Sequence, residues 1–229
     1  MAIESKIVGA GVNADVETQV DKTRRAVRVS LNPVEVMPNG GILGGHYSVS
    51  WLSGSMAAGI ASSADVFHVW FKSDVKRMLL QKFTVQSTTL TAFTTLGGAP
   101  LDLFIAHSGT AAGSGGTALT FPSNNNRLRY AFAPTAFQSN GEIRGATTAA
   151  LTLPTGLTVE GNPIASCMGA PWLQHQSAQQ VLYDWNGGAN QPVELVSGDG
   201  LVLRTNAPGA TGVWVFAVTM QWAEVGTLD

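Results

Sequence analysis

The chain is poor in charged residues, which make up only 12% of its 229 residues, about half of the usual share of about 25%. A disordered chain would carry more charge and fewer than the 45% hydrophobic residues found here. The composition therefore predicts a folded chain, with any disorder confined to its ends. A surface of small, hydroxyl and amide side chains is suited to burial against other subunits. It is equally typical of a soluble sandwich with neutral loops.

Other scarcities exclude whole classes of protein. Cys167 is the single cysteine, so the chain cannot form an intrachain disulfide. No apolar run reaches the ~18 residues that cross a membrane. The opening residues, Met1 to Lys6, lack the basic region and apolar run of a secretory signal. We therefore expect a protein made in a cytoplasm, with no membrane partner.

The net charge of −2 gives no reason to expect binding to nucleic acid. Basic residues do cluster in one stretch, directly after several acidic ones. This mixture predicts a solvated stretch, or one that forms salt bridges between subunits, rather than a nucleic-acid patch. The basic members are Lys22, Arg24, Arg25 and Arg28, and the acidic ones are Asp15, Glu17 and Asp21.

Residues 1–40 differ from the rest of the chain. Val27, Val29 and Leu31 alternate with Arg28 and Ser30, as in an edge strand. Strong turn signals follow at 32–33 and 37–41. We interpret 1–40 as an extended N-terminal arm that could add a strand to a neighbouring subunit. The alternative is an edge strand of the domain formed by residues 41–229.

The closing segment carries the clearest strand pattern. Large apolar residues alternate with other residues at period two, as in a strand with one face in a core. They are Trp214, Phe216, Val218, Met220 and Trp222. The opposite face is apolar at Val213, Val215 and Ala217 and polar from Thr219 onward. This gradient predicts burial of both faces at the start of the strand and of one face later.

Two apolar runs, 193–196 and 201–204, flank a turn sequence upstream of that strand. A second turn signal at 206–209 then leads into it, so we predict a three-strand antiparallel meander. From Gly44 onward the chain offers about nine or ten short strands. The fold class predicted for 41–229 is all-β, an antiparallel, jelly-roll-like β-sandwich. Long loops at 109–126 and 138–161 are candidates for contacts.

Catalytic and metal signatures are weak. The four histidines, His46, His68, His107 and His175, have no other His or Cys at metal-ligand spacing. His68 lies between apolar strand residues, which favours a buried, hydrogen-bonded histidine. Cys167 is interpreted as a buried structural thiol. We predict no enzyme activity, no metal and no cofactor.

Three patterns could still indicate a ligand or a reaction. His107 precedes Ser108, but a catalytic triad needs convergence that sequence cannot give. The glycines of 109–116 lack the lysine and helix of a phosphate loop. Asp184 between Tyr183 and Trp185 is similar to a sugar-binding platform. Aromatic residues at strand positions are more often core residues.

Several segments resemble a group of virion proteins from tailed bacteriophages. The first set is PLDLFIA at 100–106, TAAGSGGTA at 110–118 and NNNRLR at 124–129. The second set is PVEL at 192–195, GLVLR at 200–204 and the strand from Gly212 to Val225. The resemblance spans Gly44 to Val225 and consists of turn and strand patterns rather than catalytic signatures.

This resemblance implies a structural, head-associated role on the capsid surface, as a decoration or cement protein. The implied partners are the major capsid protein and copies of the chain itself, as a homotrimer. The candidate interface residues are Arg24, Arg25, Arg28, Val29, Leu31, Val213 and Val215. The alternatives are a tail or adhesion module that binds host glycan and a head–tail connector component.

Overall fold

The two longest strands lie side by side at the centre of one sheet. A computed structural model of the chain describes residues 43–57, 60, 63–93, 99–122, 126–128, 133–170, 177–185, 192–205 and 211–226. Within these ranges it has thirteen strands, one short 3-10 helix and no α-helix. The arm predicted at 1–40 lies outside them, as do its interface candidates Arg24, Arg25, Arg28, Val29 and Leu31.

The strands follow one another in this order: β1 (Leu43–Leu52), β2 (Met56–Ala57), β3 (Ala64–Trp70), β4 (Lys76–Thr91), β5 (Ala99–His107), β6 (Thr117–Ala118), β7 (Glu142–Gly145), β8 (Thr158–Val159), β9 (Ala165–Ala170), β10 (Ser177–Asp184), β11 (Val193–Leu195), β12 (Gly200–Thr205) and β13 (Val213–Gly226). The 3-10 helix, Ala136–Gln138, lies between β6 and β7.

These strands form two antiparallel sheets. The first sheet has the order β1-β13-β4-β10, with β2 paired to β13 and β11 paired to β4. The second sheet has the order β6-β7-β3-β12-β5-β8, with β9 paired to β5. One core of large buried side chains contains residues of both sheets. The prediction of an all-β antiparallel sandwich is confirmed, and the finer jelly-roll description stays a prediction.

The alternating closing strand is β13, and its predicted core face is correct. Trp214, Phe216, Met220 and Trp222 are fully buried, and Val218 is 1% exposed. The predicted gradient on the opposite face is wrong. Its early positions, among them Val213 and Val215, are only half-buried, and both faces become fully buried at the far end of the strand. Apolar character alone did not tell which end of the strand other segments cover.

The predicted three-strand meander is also wrong. β11 pairs with β4 in the first sheet, whereas β12 pairs with β3 and β5 in the second sheet. β13 returns to the first sheet between β1 and β4. The turn between β11 and β12 therefore crosses from one sheet to the other, with Gly198 at a φ of 96°. The sequence could not distinguish these cases, because a short glycine turn between two apolar runs can join neighbouring strands of one sheet or strands of two different sheets.

Parts of the two long loops predicted to carry contacts, residues 111–115 and 151–155, cover the outer face of the second sheet. Isolated bridges join Ala111 to Thr155 and Ser114 to Thr152. The Leu151 amide donates to the Asp65 carbonyl of β3 at 2.8 Å, which holds this layer to the sheet. Beneath it lies a small apolar cluster of Phe104, Ala106 and Val202, packed against Leu153, Leu157 and Val159. The outer face of the second sheet is thus largely internal.

Candidate functional site

A buried charge cluster lies under the loop layer of the second sheet. His68 on β3 and Arg144 on β7 are register neighbours, and Trp70 lies opposite Glu142 in the same way. His68 Nε2 donates to Glu142 Oε1 at 2.8 Å, and Arg144 Nη2 donates to Oε2 at 2.6 Å. His68 is fully buried and Glu142 is 8% exposed. As predicted, His68 is a buried, hydrogen-bonded histidine.

The same carboxylate also holds the glycine loop. The Gly113 amide donates to Glu142 Oε1 at 3.0 Å, and Arg144 Nη1 donates to the Gly115 carbonyl at 2.7 Å. Burial by itself raises the pKa of Glu142, but the hydrogen bonds from His68 and Arg144 outweigh burial and lower that pKa to about 2. The carboxylate is therefore ionised at neutral pH. The glycine loop at 109–116, which lacks the features of a phosphate loop, therefore covers the ion pair of Glu142 and Arg144.

A second buried carboxylate, Glu224 of β13, fixes the segment before the 3-10 helix. Thr135 donates its hydroxyl to Glu224, and the Ala136 amide donates to both carboxylate oxygens at 3.0 Å. Trp222 Nε1 donates to Oε1 at 3.2 Å, and Lys76 Nζ donates to Oε2 at 2.9 Å. The carboxylate is fully buried. The contacts of Thr135 and Ala136 attach the start of the 3-10 helix to the first sheet, whereas those of Trp222 and Lys76 lie within that sheet.

His107 at the end of β5 lies between two acids. Its Nδ1 is 2.9 Å from Asp199 Oδ1, and its Nε2 is 3.0 Å from Glu160 Oε1. Hydrogen bonds to Asp199 and then Glu160 raise the pKa of His107. Because both ring nitrogens bond to carboxylates, neither is bonded to a serine as a catalytic triad requires. His107 links the sheet-crossing turn to the segment after β8.

Cys167 of β9 and Tyr183 of β10 both pack against the main core. Cys167 packs against the main core, and burial together with the charge of Asp102 raises its pKa to about 11. The Tyr183 hydroxyl accepts a hydrogen bond from the Val193 amide at 2.9 Å, and its ring packs against the core. The Tyr183 ring is thus half-buried against the core, as expected of an aromatic residue at a strand position. Asp184 forms an ion pair with Lys82 at 3.1 Å.

Two further observations concern metals and membranes. Among the described residues, no group of three or more His, Cys, Asp and Glu side chains is placed to hold a metal ion. Across the same parts of the chain, no helix has the length and apolar character needed to cross a membrane. His175 lies outside the described residues.

The outer face of the first sheet is the candidate interaction surface. Its strands are in register, so their outward side chains form rows that run across β1, β13, β4 and β10. We call these residues the neutral face. The rows are Ser48, Gln221, Lys82 and Asp184; then Ser50, Thr219, Thr84 and Val181; then Leu52, Ala217, Gln86 and Gln179.

The neutral face combines hydroxyl, amide and apolar groups with almost no charge. Its charged members, Lys82 and Asp184, compensate each other. Ser50 and Thr219 share a hydrogen bond at 3.0 Å across the sheet. Two large apolar side chains stand out from opposite edges, Leu52 at 66% exposed and Val181 at 53% exposed. Polar and apolar groups in similar amounts are also found in interfaces between proteins that associate reversibly.

Two predicted interface residues belong to this surface. Val213 and Val215 continue the outward line of β13 and are half-buried. The remaining members were not predicted, because they lie on strands that are far apart in the chain and whose pairing is not visible in the sequence. The alternation of Ser48 and Ser50 with buried residues was the available signal.

Comparison with models of known protein families finds none that matches the chain, and comparison with curated proteins finds no match either. The resemblance to tailed-bacteriophage virion proteins therefore stays a prediction.

Proposed function

We propose that the chain is a structural virion protein that binds the outside of a tailed-bacteriophage capsid as a decoration or cement protein. It stabilises the shell through protein–protein contacts, without a chemical reaction. The observation that carries this proposal is the neutral face, a sheet surface of hydroxyl, amide and apolar groups whose two charged members compensate each other. The remaining support is the resemblance over Gly44 to Val225.

A surface of this kind suits a repeating partner. Hydroxyl and amide groups give many modest contacts, so a single contact area binds weakly. Copies attached to one shell gain affinity because the binding sites are held at a high effective concentration. The proposed partners are therefore the major capsid protein and further copies of this chain. The homotrimer stays a prediction, and its count of copies is open to measurement.

The buried clusters support binding over catalysis. Glu142, Glu224 and His107 direct their polar atoms to bonds within the chain. A general acid or base needs an accessible proton within hydrogen-bond reach of a substrate. The Glu142 and Glu224 carboxylates are buried, and both nitrogens of His107 are occupied. We accordingly propose no enzyme activity, no cofactor, no nucleic acid and no membrane partner.

Copy number in the particle tests the proposal directly. Densitometry of gels of purified particles should give hundreds of copies of this chain, in a fixed ratio to the major capsid protein. A few copies per particle, located at a tail tip or at the head–tail junction, would contradict a decoration role.

A binding experiment provides the second test. Purified chain is mixed with mature capsids that lack it and is sedimented with them at about 10 μM. Saturable co-sedimentation, followed by greater resistance of the shell to heat, is the expected result. Chain that remains entirely in the supernatant would overturn the proposal, and the glycan-binding alternative is then tested with host cell-surface polysaccharide.

A further inference from the structure

We infer that His107, Asp199 and Glu160 form a pH-dependent clasp, which holds the edge strand β8 on the second sheet while the His107 ring is protonated and loosens β8 when the ring becomes neutral. We call these three residues the clasp. The inference concerns the folded chain by itself, so it does not depend on the proposed virion role. It identifies a conformational change that the fold permits and the segment that undergoes it.

Both ring nitrogens of His107 face a carboxylate. Nδ1 lies 2.9 Å from Asp199 Oδ1, and Nε2 lies 3.0 Å from Glu160 Oε1. An ionised carboxylate only accepts hydrogen bonds, and a neutral imidazole has a single N–H group. The two hydrogen bonds therefore require the imidazolium, because only this form donates from both nitrogens. A neutral ring must present its lone pair to one of the two carboxylates, and that contact is repulsive.

The charges around His107 favour the complete clasp. Among the described residues, the charged groups that act on the ring are both acidic, Asp199 from the turn between β11 and β12 and Glu160 from the segment after β8. Their hydrogen bonds raise the pKa of His107 above its ordinary value of 6.5. The clasp therefore contributes fully below that value, and one of its hydrogen bonds is lost as the pH rises through the folded pKa.

The two acids are not equally free to leave the ring. The Asp199 side chain is 16% exposed, and its Oδ2 accepts a hydrogen bond from the Val196 amide at 3.1 Å. The Asp199 carbonyl also accepts one from the Phe71 amide at 2.8 Å. The Glu160 side chain is 45% exposed and can turn into water. A neutral ring therefore keeps its N–H group on Nδ1, toward Asp199, and Glu160 is the group that separates.

The strand β8 has few other attachments to the second sheet. Its two residues pair with the last two residues of β5. The next amide, that of Glu160, donates to the Ile105 carbonyl of β5 at 3.0 Å. Val159 of β8 packs against the small apolar cluster on the outer face of the sheet. Loss of the contact between His107 and Glu160 should therefore loosen β8 and uncover part of that cluster.

Amide hydrogen exchange between pH 6 and pH 9 tests the clasp. The measured quantity is the protection factor, which corrects for the effect of pH on intrinsic exchange. Two amides are compared, that of Glu160 and that of Gly198, which donates to the Phe71 carbonyl at 2.9 Å. We expect protection of the Glu160 amide to fall by about threefold to fivefold as His107 loses its proton, as for a partly exposed ion pair. Protection of the Gly198 amide should change less.

Glu160→Gln separates the effect of the clasp from other effects of pH. A glutamine side chain accepts a hydrogen bond from a protonated ring and donates one to a neutral ring. Protection of the backbone amide at position 160 should then no longer depend on pH. Glu194→Gln is the matched control, because it removes the same charge from the exposed ion pair with Arg77 and leaves the clasp unchanged. This control should keep the native pH dependence.

Protection of the Glu160 amide that stays constant from pH 6 to pH 9 overturns the inference. An equal loss at Gly198 also overturns it, because the change would not be confined to β8. A pH dependence that persists in Glu160→Gln overturns it as well. Sedimentation with capsids tests the proposed function alone, so a failure of either idea is distinguishable from a failure of the other.

Discussion

Lys76 and Glu224 form an ion pair of unequal burial: the ammonium is 2.9 Å from the carboxylate, and their side chains are 21% and 0% exposed. Removing one partner leaves the other charge without compensation, and the cost depends on whether that charge can reach water. Lys76 can turn outward, whereas Glu224 cannot.

We therefore expect Lys76→Met to lower the free energy of unfolding by about 3 kcal/mol. The loss caused by Glu224→Gln should be smaller than this by at least about 1 kcal/mol. Urea unfolding monitored by tryptophan fluorescence measures both values. The control is Arg77→Met, which breaks the exposed Arg77–Glu194 pair and should cost under about 1 kcal/mol. An equal or reversed order of the two buried-pair variants would refute the argument.

Glu142 predicts loss of stability in acid. Its folded pKa of about 2 lies below its ordinary value of 4.5, so its contribution is fully present above the ordinary value and declines as the pH falls toward 2. The shift corresponds to about 3 kcal/mol. Unfolding free energies measured between pH 6 and 2.5, by urea titration at each pH, should fall more steeply for the native chain than for Glu142→Gln. Parallel curves would exclude Glu142 as the cause.

Amide exchange of the glycine loop offers an independent check on the same carboxylate. Because Gly113 donates to Glu142, Glu142→Gln should raise the hydrogen-exchange rate of the Gly113 amide at neutral pH. The Ala146 amide, which donates to the Val66 carbonyl, should change less.

The ion pairs of His107 should contribute to stability with the opposite pH dependence. Its raised folded pKa means that its contribution is present below the ordinary value of 6.5 and is lost as the pH rises through the folded value. An NMR titration should place its pKa above 6.5 in the native chain, and Asp199→Asn should lower that pKa more than Glu160→Gln does. A native value at or below 6.5 would mean that the two acids do not hold the ring in solution.

Gly200 predicts a strong dependence on side-chain size within β12. A Cβ at this position would lie 2.3 Å from the Val69 carbonyl oxygen of the paired strand, and that backbone cannot move aside. We expect Gly200→Ala to cost about 1–3 kcal/mol. Gly161→Ala is the matched control, since its Cβ would meet no atom within 4 Å. Equal thermal midpoints for the two variants would contradict the close strand approach.

The strand positions were predictable wherever one face meets the core. Tyr47 and Val49 are buried in β1, and Trp214 to Trp222 are buried alternately in β13, because period-two alternation reports burial of one face directly. Which strands pair with each other was harder to predict from the sequence. β4 shows why: Gln81 is an extra residue opposite the Gln221–Trp222 step of β13, so Leu80 and Phe83 can both face inward.

The candidate site could not be predicted from the sequence without knowing the fold. His68 and Glu142 are 74 residues apart, and nothing local in either segment indicates that they meet. The same is true of Leu52 and Val181, whose relation depends on the order of four strands in the first sheet. His68 was interpreted correctly because burial of a lone polar residue among apolar neighbours is visible in one strand, whereas Cys167, interpreted as a buried thiol, is only half-buried.

The central place of β13 in the first sheet also constrains how the chain is made. β1 and β4 each pair with β13, which follows β4 by more than a hundred residues. During translation these two strands therefore leave the ribosome long before their shared partner does. Contacts so distant in sequence slow folding, and the nascent sheet edges remain open to other chains until the final strand is synthesised.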